Sequence, residues 1–312
     1  MVMTPLFSRH QPGGVFTIQD MEAHPGTVRF VDSSHAAAAN SLGGGQSPDK
    51  PFSTLAYVMT NASSLTPALA AGDVIYLMPG HAEIIAGAAG IACATAGVKI
   101  IGLGWGAARP TFTFSATGST WTITAASVYI KNIRVTSSVN ELVSMFSVSA
   151  ANVTLDAVDH VDAGAAKETI QFLVTTADGD DLTIINCKHD QATLAASAQL
   201  WIALVGCLRP RVLNCSFQLQ LSDNATSSVI NMDTGVRNAE LGHLVIHMTG
   251  YTANLLSAIL AHANATGIHH DSRIAGNVAV VTTLNDFPGG FSTEVYCGVN
   301  VNKNGILDPV AP

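Results

Sequence analysis

The carboxylates are the side chains in this sequence whose clustering best fits catalysis. The densest group comprises Asp156, Asp159, Asp162, Asp178, Asp180 and Asp181. Two carboxyl groups roughly 5–9.5 Å apart can cleave a glycosidic bond, and clustered carboxylates can also hold a cation. A structural explanation fits as well, because residues 178–181 have the composition of an exposed turn and Asp156 aligns with Lys131 as a surface ion pair. We therefore predict no catalytic residue here.

The eleven histidines offer two places where a metal ion could bind. His160 and His189 occupy equivalent positions of neighbouring repeats, but no third ligand aligns with them. Val135 and Ile246 occupy the same position elsewhere, which favours a packed histidine pair over a metal site. The second candidate is His269-His270-Asp271, for which the alternative is an exposed turn. We predict no metal site and no cofactor.

The aromatic and sulfur side chains favour structural roles. Exposed aromatic rings can form platforms for sugars, but Trp105, Trp121 and Trp201 fall at apolar strand positions, which predicts core or interface positions. The cysteines are Cys93, Cys187, Cys207, Cys215 and Cys297. Their odd number and the absence of a CxxC pair favour buried free thiols over a disulfide framework or a zinc site.

A short sequence motif, here called the phrase, recurs between Val98 and Val280 and contains several of these residues, such as Asp156, His160 and Cys187. Its pattern is apolar–x–apolar–x–Asn/Gly–apolar–x–apolar, as in Val-Tyr-Ile-Lys-Asn-Ile-Arg-Val at 128–135. Its second apolar position falls at Ile100, Ile130, Leu155, Ile184, Val212, Leu241 and Ile274. The steps are 30, 25, 29, 28, 29 and 33 residues, a period typical of stacked identical units. The Asn or Gly suits a bend between two short strands.

A second apolar strand precedes each copy of the phrase. These strands are predicted at 120–123, 145–148, 171–174, 201–204, 229–232 and 258–261. Two or three short strands per period, with no helix between them, predict an all-β parallel β-helix. Its coils should place Cys187 under Cys215 and Asn186 under Asn214. One continuous inward column should be formed by Ile130, Leu155, Ile184, Val212 and Leu241.

The amino-acid composition indicates which classes of partner this protein can bind. Charged residues make up only 12% of the chain, against about 25% in ordinary soluble domains. So charge-poor a surface predicts contacts with other subunits, and strands 201–204 and 229–232 are the candidate interface. A net charge of −8 with scattered Lys and Arg predicts no nucleic-acid partner. No apolar run approaches the roughly 20 residues of a membrane span, and residues 1–10 do not resemble a signal peptide, so no membrane association is predicted.

Three segments are predicted. Residues 1–26 form an extended N-terminal arm, 27–97 an N-terminal module with a capping helix at about 52–63, and 98–312 the coils and a C-terminal tail. The apolar residues predicted to attach the arm to a partner are Leu6, Phe7, Val15, Phe16 and Ile18. The alternative is an arm that packs over its own or a neighbouring subunit as a cap.

Two stretches of the N-terminal module resemble a known family. Pro-Phe-Ser-Thr-Leu-Ala at 51–56, followed by Gly-Asp-Val-Ile-Tyr-Leu-Met-Pro-Gly at 72–80, resembles the start of right-handed parallel β-helix proteins of the pectin-lyase-like superfamily. Residues 30–32, the Gly/Ser-rich loop and 47–54 are similar to β-helix chains of tailed phages and prophages. The resemblance covers about residues 27–300. It implies a right-handed, single-stranded coil plugged by a short helix, on a scaffold that serves lyases, hydrolases, adhesins and inert virion proteins.

Two functions follow from this resemblance. The first is a non-enzymatic phage virion structural protein, such as a trimeric capsid decoration, cement or head-fibre protein. The resemblance to virion β-helices implies a homotrimer with its coil axes side by side. It would assemble in the host cytoplasm and attach through its arm to the major capsid protein or another virion protein. The second is a tailspike-like or cell-surface carbohydrate-active β-helix, either a polysaccharide lyase or a glycoside hydrolase. Low charge, free thiols and the arm favour the first.

Overall fold

A computed structural model describes residues 26–161, 163–164, 167–190, 200–219, 227–248, 258–276, 285–286 and 291–299. The chain forms the predicted right-handed, single-stranded parallel β-helix, with about six turns. The strands are β1 Val28–Val31, β2 Val74–Leu77, β3 Ala82–Ile85, β4 Ile91–Cys93, β5 Lys99–Gly102, β6 Thr111–Phe114, β7 Trp121–Ile123, β8 Tyr129–Lys131, β9 Arg134–Ser137, β10 Phe146–Val148, β11 Thr154–Asp156, β12 Asp159–Val161, β13 Leu173–Thr175, β14 Thr183–Ile185, β15 Lys188–Asp190, β16 Leu200–Leu204, β17 Arg211–Leu213, β18 Ser216–Leu219, β19 Ser228–Met232, β20 Ala239–Gly242, β21 Val245–Met248, β22 Ile259–Ala261, β23 Gly267–Gly276, β24 Asn285–Asp286 and β25 Phe291–Val299. The helices are α1 Leu55–Thr60 and a 3-10 turn at Gly106–Ala108. Neither helix is long and apolar enough to cross a membrane.

The coils present three faces. Face A contains β1, β2, β5, β8, β11, β14, β17, β20 and the first half of β23. Face B contains β3, β6, β9, β12, β15, β18, β21 and the second half of β23, and face C contains β4, β7, β10, β13, β16, β19, β22 and β24. Described strands on the same face pair in parallel with the coil before and the coil after. Each outward residue therefore lies about 4.8 Å from its equivalent in the next coil.

Left-handed backbone positions bound face A on both sides. Before its strands these are Ser127, Asn152, Asp181, Arg209 and Asn238, and after its strands Asn132, Ala157, Asn186, Asn214 and His243. The Asn of the repeated phrase occupies the second set, because asparagine tolerates a positive φ better than most residues. Asn214 Nδ2 donates to Asn186 Oδ1 over 2.6 Å, which confirms the predicted stacking of these two residues.

The predicted inward column is confirmed. Its members Ile130, Leu155, Ile184, Val212 and Leu241 pair in register and are fully buried, and Ile100 extends the column by one coil. The alignment of Ile274 with this position in the last copy of the repeat is wrong. Leu241 pairs with His269, 28 residues along the chain, and Ile274 pairs with Ile246 on face B. The last copy lacks an apolar residue at the face A position, so the apolar pattern was matched to the next strand.

Replacing Ile184 with alanine is expected to lower the free energy of unfolding by about 2–5 kcal/mol, because the coil interior cannot collapse around the missing side chain. Its neighbour Ile185 lies on the outer side of the same strand and is only half buried. Ile185→Ala is therefore the matched control, and it should lower the free energy of unfolding clearly less than Ile184→Ala does. Chemical denaturation measures both, and equal losses would contradict the assigned register.

A ladder of aromatic rings fills the interior between faces B and C. The distance between ring centroids is 5.6 Å from Trp121 to Phe146, 5.3 Å from Phe146 to Phe172 and 5.6 Å from Phe172 to Trp201. Trp201 then stacks on His189 with their ring centroids 3.4 Å apart. This ladder joins successive coils through the largest side chains in the protein, and each ring depends on its neighbours for burial.

Helix α1 is held against the first coils by a buried carboxylate. Thr54 caps the helix, and Glu83 accepts the backbone N–H groups of Leu55 at 2.6 Å and Ala56 at 2.9 Å. His81 Nδ1 accepts the N–H of Ser33, so its proton lies on Nε2, which donates to Glu83 over 3.2 Å. The first N–H groups of a helix have no partner within the helix, and Glu83 satisfies two of them where no water reaches.

Candidate functional site

A polar groove runs across four coils at the start of the face A strands. It has a volume of about 400 Å³ and is lined by Asn152, Thr154, Asp181, Thr183, Arg209, Arg211, Asn238 and Glu240. The lining residues come from only two columns, the left-handed corner before face A and the first outward position of its strands. The register of the coils therefore brings residues together that lie far apart in sequence.

Two ion pairs dominate the groove. Arg209 binds Asp181 through both carboxylate oxygens, with Nε–Oδ1 at 2.6 Å and Nη2–Oδ2 at 2.7 Å. Arg211 Nε lies 2.7 Å from Glu240 Oε2 in the next coil. The hydrogen bonds from Arg209 lower the pKa of Asp181, and the same bonds raise the pKa of Arg209. Asp181 is thus an ionised carboxylate and Arg209 a permanent cation at neutral pH.

Both arginines keep donors available for a ligand. About half of each side chain is exposed, and a guanidinium has five N–H donors. Arg209 uses two of them on Asp181, and the Arg211–Glu240 ion pair is made through Nε. The remaining donors can bind an anionic group in the groove, while the hydroxyls of Thr154 and Thr183 suit neutral polar groups.

A second polar cluster lies at the other end of the face A strands. Lys131 Nζ lies 2.9 Å from Asp156 Oδ2, which confirms the predicted ion pair. Asp156 is nevertheless only 8% exposed, and it also accepts hydrogen bonds from Tyr129 at 2.7 Å and Asn186 at 2.9 Å. Burial opposes ionisation of Asp156, but these hydrogen bonds outweigh it and lower its pKa. Burial, reinforced by Asp156, raises the pKa of Tyr129.

The other aspartates of the predicted group have separate roles. Asp178 is exposed in its turn, as predicted, whereas Asp180 accepts the N–H of Leu208 over 2.7 Å. Asp159 forms an ion pair with Arg109. Asp162 lies outside the described residues. The six aspartates therefore do not form one cluster, and Asp181 alone among them lines the groove.

His160 and His189 form the predicted packed pair. Both are buried, their ring centroids are 4.4 Å apart, and Trp201 packs against both rings. Stacked imidazoles inside the coil are thus part of the aromatic ladder.

The segment 269–271 is divided between the inside and the outside of the coil. His269 points inward, and burial lowers its pKa to about 4, so it is neutral at physiological pH. His270 and Asp271 are on the outside, where His270 Nδ1 lies 2.9 Å from Asp271 Oδ2. His243 of the preceding coil lies beside them, with Nε2 at 3.9 Å from the same carboxylate oxygen. The sequence prediction therefore named two of these three neighbours and missed His243.

The three tryptophans divide between the two predicted positions. Trp121 and Trp201 are fully buried in the core, whereas Trp105 is 84% exposed, so it is not a core residue and the interface position stays a prediction for it. Trp105 lies in the corner after β5 between Gly104 and Gly106, whose φ values of 89° and 58° turn the chain outward. This corner is at the opposite end of the face A strands from the groove.

Four of the five cysteines are buried free thiols, as predicted. Cys93, Cys187, Cys207 and Cys215 form no disulfide. Burial raises the pKa of Cys93 to about 12 and that of Cys207 to about 11, which keeps both as unreactive thiols.

Two predictions about partners have different outcomes. The arm residues Leu6, Phe7, Val15, Phe16 and Ile18 lie outside the described residues, so attachment through them stays a prediction. The apolar residues of strands 201–204 and 229–232 are already buried within one chain, so they do not identify a trimer interface. The homotrimer itself also stays a prediction.

The groove arginines were not singled out from the sequence, although a signal was present. Arg211 and Glu240 occupy the same position of consecutive copies of the phrase, next to the inward residues Val212 and Leu241. Opposite charges at equivalent positions of adjacent coils predict an ion pair by the argument that was applied to Lys131 and Asp156.

Comparison with known proteins adds one likeness. No protein family profile and no curated protein matches the chain. A solved structure described as "Rhamnogalacturonan lyase" is similar with a TM-score of 0.41 and 12% sequence identity, and the alignment covers 87% of each chain. No substrate, residue role or activity is transferred from that protein at this level of similarity.

The expectation of a non-enzymatic protein is corrected at this point. The similar structure is named as an enzyme, so this chain is no longer assigned to the non-enzymatic β-helix proteins. The phage origin and the virion role have no finding behind them beyond the sequence resemblance. The parallel β-helix is the part of the resemblance that the structure confirms.

Proposed function

We propose that this protein is a carbohydrate-active β-helix that acts on an acidic polysaccharide bound in the face A groove. The observation that carries the proposal is the pair of half-exposed arginines, Arg209 and Arg211, set among hydroxyl and amide side chains. Polysaccharides offer hydroxyls for the polar lining, and uronic acid units offer carboxylates for guanidinium groups. The groove crosses successive coils, so it suits an extended chain.

Elimination fits this groove better than hydrolysis. A glycosidase needs one protonated carboxylic acid with a raised pKa to protonate the leaving oxygen. The hydrogen bonds from Arg209 instead lower the pKa of Asp181. Elimination from a uronic acid instead requires a base near the proton that leaves and positive charge near the substrate carboxylate. Glu240 is the candidate base, and Arg209 and Arg211 are the candidate carboxylate ligands.

Binding and cleavage of polygalacturonate and rhamnogalacturonan test the proposal, with a neutral galactan as the comparison. Elimination leaves unsaturated ends that absorb ultraviolet light, whereas hydrolysis leaves only reducing ends. Arg211→Gln removes a charge-assisted hydrogen bond and should weaken binding of the acidic polymers about 10–100-fold. Isothermal titration calorimetry measures the change.

Lys188→Gln is the matched control, because it removes one positive charge from an exposed position of β15 on face B. It should leave binding near the wild-type value. Equal binding of acidic and neutral polymers, or an Arg211→Gln variant that binds as tightly as wild type, would rule out the groove as an acidic-saccharide site.

The homotrimer and the arm-mediated attachment are carried forward as proposals that rest on the sequence alone. A tailspike-like assembly would combine both with a carbohydrate site. Light scattering of the full chain tests the trimer, and a mass of one chain at micromolar concentration would count against it.

A further inference from the structure

A compact group of metal-binding side chains lies at the corner between faces A and B, outside the groove lining. His243, His270 and Asp271 each offer one ligand atom, and these atoms all lie within 4.8 Å of one another. His270 Nδ1 is 2.9 Å and His243 Nε2 is 3.9 Å from the same atom, Asp271 Oδ2. The side chains of His243 and Asp271 are more than half exposed, so an ion can reach the group from solvent.

The fold holds these residues in place from both sides. His243 and Asp271 occupy left-handed positions, with φ of 52° and 50°, and the N–H of His243 donates to the carbonyl of His270 over 3.2 Å. The pairing of β23 with β25 shifts register between His269 and Ser272, at the corner that holds the two outward residues of the group. An irregular pairing of this kind redirects side chains.

Gly242 provides the space for one ligand ring. It pairs with His270 across the coils, and a Cβ atom on Gly242 would lie 2.5 Å from Cε1 and Nε2 of that imidazole. The equivalent position of the preceding coil is Leu213, so the absence of a side chain is particular to this coil. The His270 ring therefore lies against the backbone of β20 and next to His243.

We propose that His243, His270 and Asp271 bind a divalent transition-metal ion, such as zinc, nickel or cobalt. Two imidazoles and one carboxylate suit these ions, whereas calcium and magnesium prefer oxygen ligands alone. Metal bonds of about 2.0–2.2 Å require small movements of the ligand atoms, which the exposed side chains of His243 and Asp271 permit. Three protein ligands leave at least one coordination position for water or a solute.

Glu240 supports one orientation of the His270 ring. Its Oε1 lies 3.7 Å from His270 Nε2, while Nδ1 faces Asp271 and His243. The ion would bind Nδ1, and the Nε2–H group would remain directed at Glu240. A carboxylate beyond the second nitrogen is the usual support for a metal-bound histidine.

This site differs from the one that the sequence suggested. His269 faces the coil interior and is replaced as a ligand by His243, which lies 27 residues before His270 in the chain. The coil spacing creates the site, so no short motif encodes it. The groove lining includes none of the three ligands, and Glu240 is the residue that borders both sites.

Cobalt(II) and zinc titrations of the full chain, freed of metal by a chelator, test the site. We expect one ion per chain, visible absorption bands of cobalt bound to nitrogen, and a higher melting temperature with zinc. His243→Ala and Asp271→Asn should each weaken binding at least about tenfold, since loss of even a supporting group has an effect of that size. Calcium should not compete.

Two further variants keep the test decisive. His247→Ala removes an exposed histidine of the neighbouring β21 and should bind cobalt as wild type does. Gly242→Ala changes no ligand but displaces the His270 ring, so it should weaken binding while the coils remain folded by circular dichroism. Absence of saturable binding of one ion per chain would overturn the proposal. Equal weakening by His247→Ala and His243→Ala would overturn it as well.

Discussion

Replacing Trp201 with alanine is expected to lower the free energy of unfolding by about 3–5 kcal/mol. The indole is fully buried and contacts Phe172 on one side and His189 and His160 on the other. Its loss opens a cavity in the middle of the aromatic ladder, where neighbouring coils are held by their own hydrogen bonds and cannot close the gap. Denaturation by guanidinium chloride, followed by tryptophan fluorescence and circular dichroism, measures the loss.

Trp105 provides a control of the same residue type. It is 84% exposed, so Trp105→Ala should change stability by no more than about 0.5 kcal/mol. Trp201→Phe should recover part of the stability, because a phenyl ring restores much of the packing. Similar losses for Trp201→Ala and Trp105→Ala would contradict the inward position of Trp201.

Replacing Glu83 with alanine is expected to lower the free energy of unfolding by about 2–5 kcal/mol, because each buried donor left without an acceptor costs about 1–3 kcal/mol. The lost carboxylate accepts two N–H groups at the start of α1 and the Nε2–H of His81. The effect should be largest at the N-terminal end of the coil stack, which α1 covers. Amide hydrogen exchange of residues 55–60 reports this local opening.

Glu83→Gln separates hydrogen bonding from shape. Glutamine has the same size as glutamate but only one acceptor oxygen. Glu83→Gln should therefore lower the free energy of unfolding less than Glu83→Ala does, but more than a surface substitution does. Asp178→Asn removes a negative charge from an exposed turn and should leave stability within about 0.5 kcal/mol of wild type. If Glu83→Ala behaved like Asp178→Asn, the buried contact with α1 would not contribute to stability.

The face A groove and the proposed metal site use the outer positions of the same face. Arg209, Arg211 and Glu240 line the groove at the start of the strands, and His243 with Asp271 follows at their ends. Glu240 is common to both surroundings, since it contacts Arg211 and lies near His270. Variants of Glu240 are therefore unsuitable for testing the two sites separately. Arg211→Gln is expected to affect only polysaccharide binding in the groove, and His243→Ala only metal binding.

The repeat in the sequence was sufficient to predict the fold and most of the interior. A period of about 28 residues with alternating apolar positions implies coils, and the alternation assigns residues such as Ile130 and Ile184 to the inside. The Asn positions marked the bends, because only a few residue types tolerate a positive φ there. Stacking of equivalent positions then predicted the Asn186–Asn214 and His160–His189 neighbours. These are all consequences of local periodicity.

Only the tertiary structure decided which outer side chains meet at the degraded last copy of the repeat. His243 lies 3.9 Å from Asp271 across two coils whose register the apolar pattern does not determine. In that copy the apolar pattern placed Ile274 at the position that His269 occupies. Trp105 illustrates the same limit at a corner, where backbone angles rather than apolar character set the direction of a side chain. The physical reason is that alternation distinguishes inside from outside along a strand, whereas contacts between coils depend on register and corner geometry.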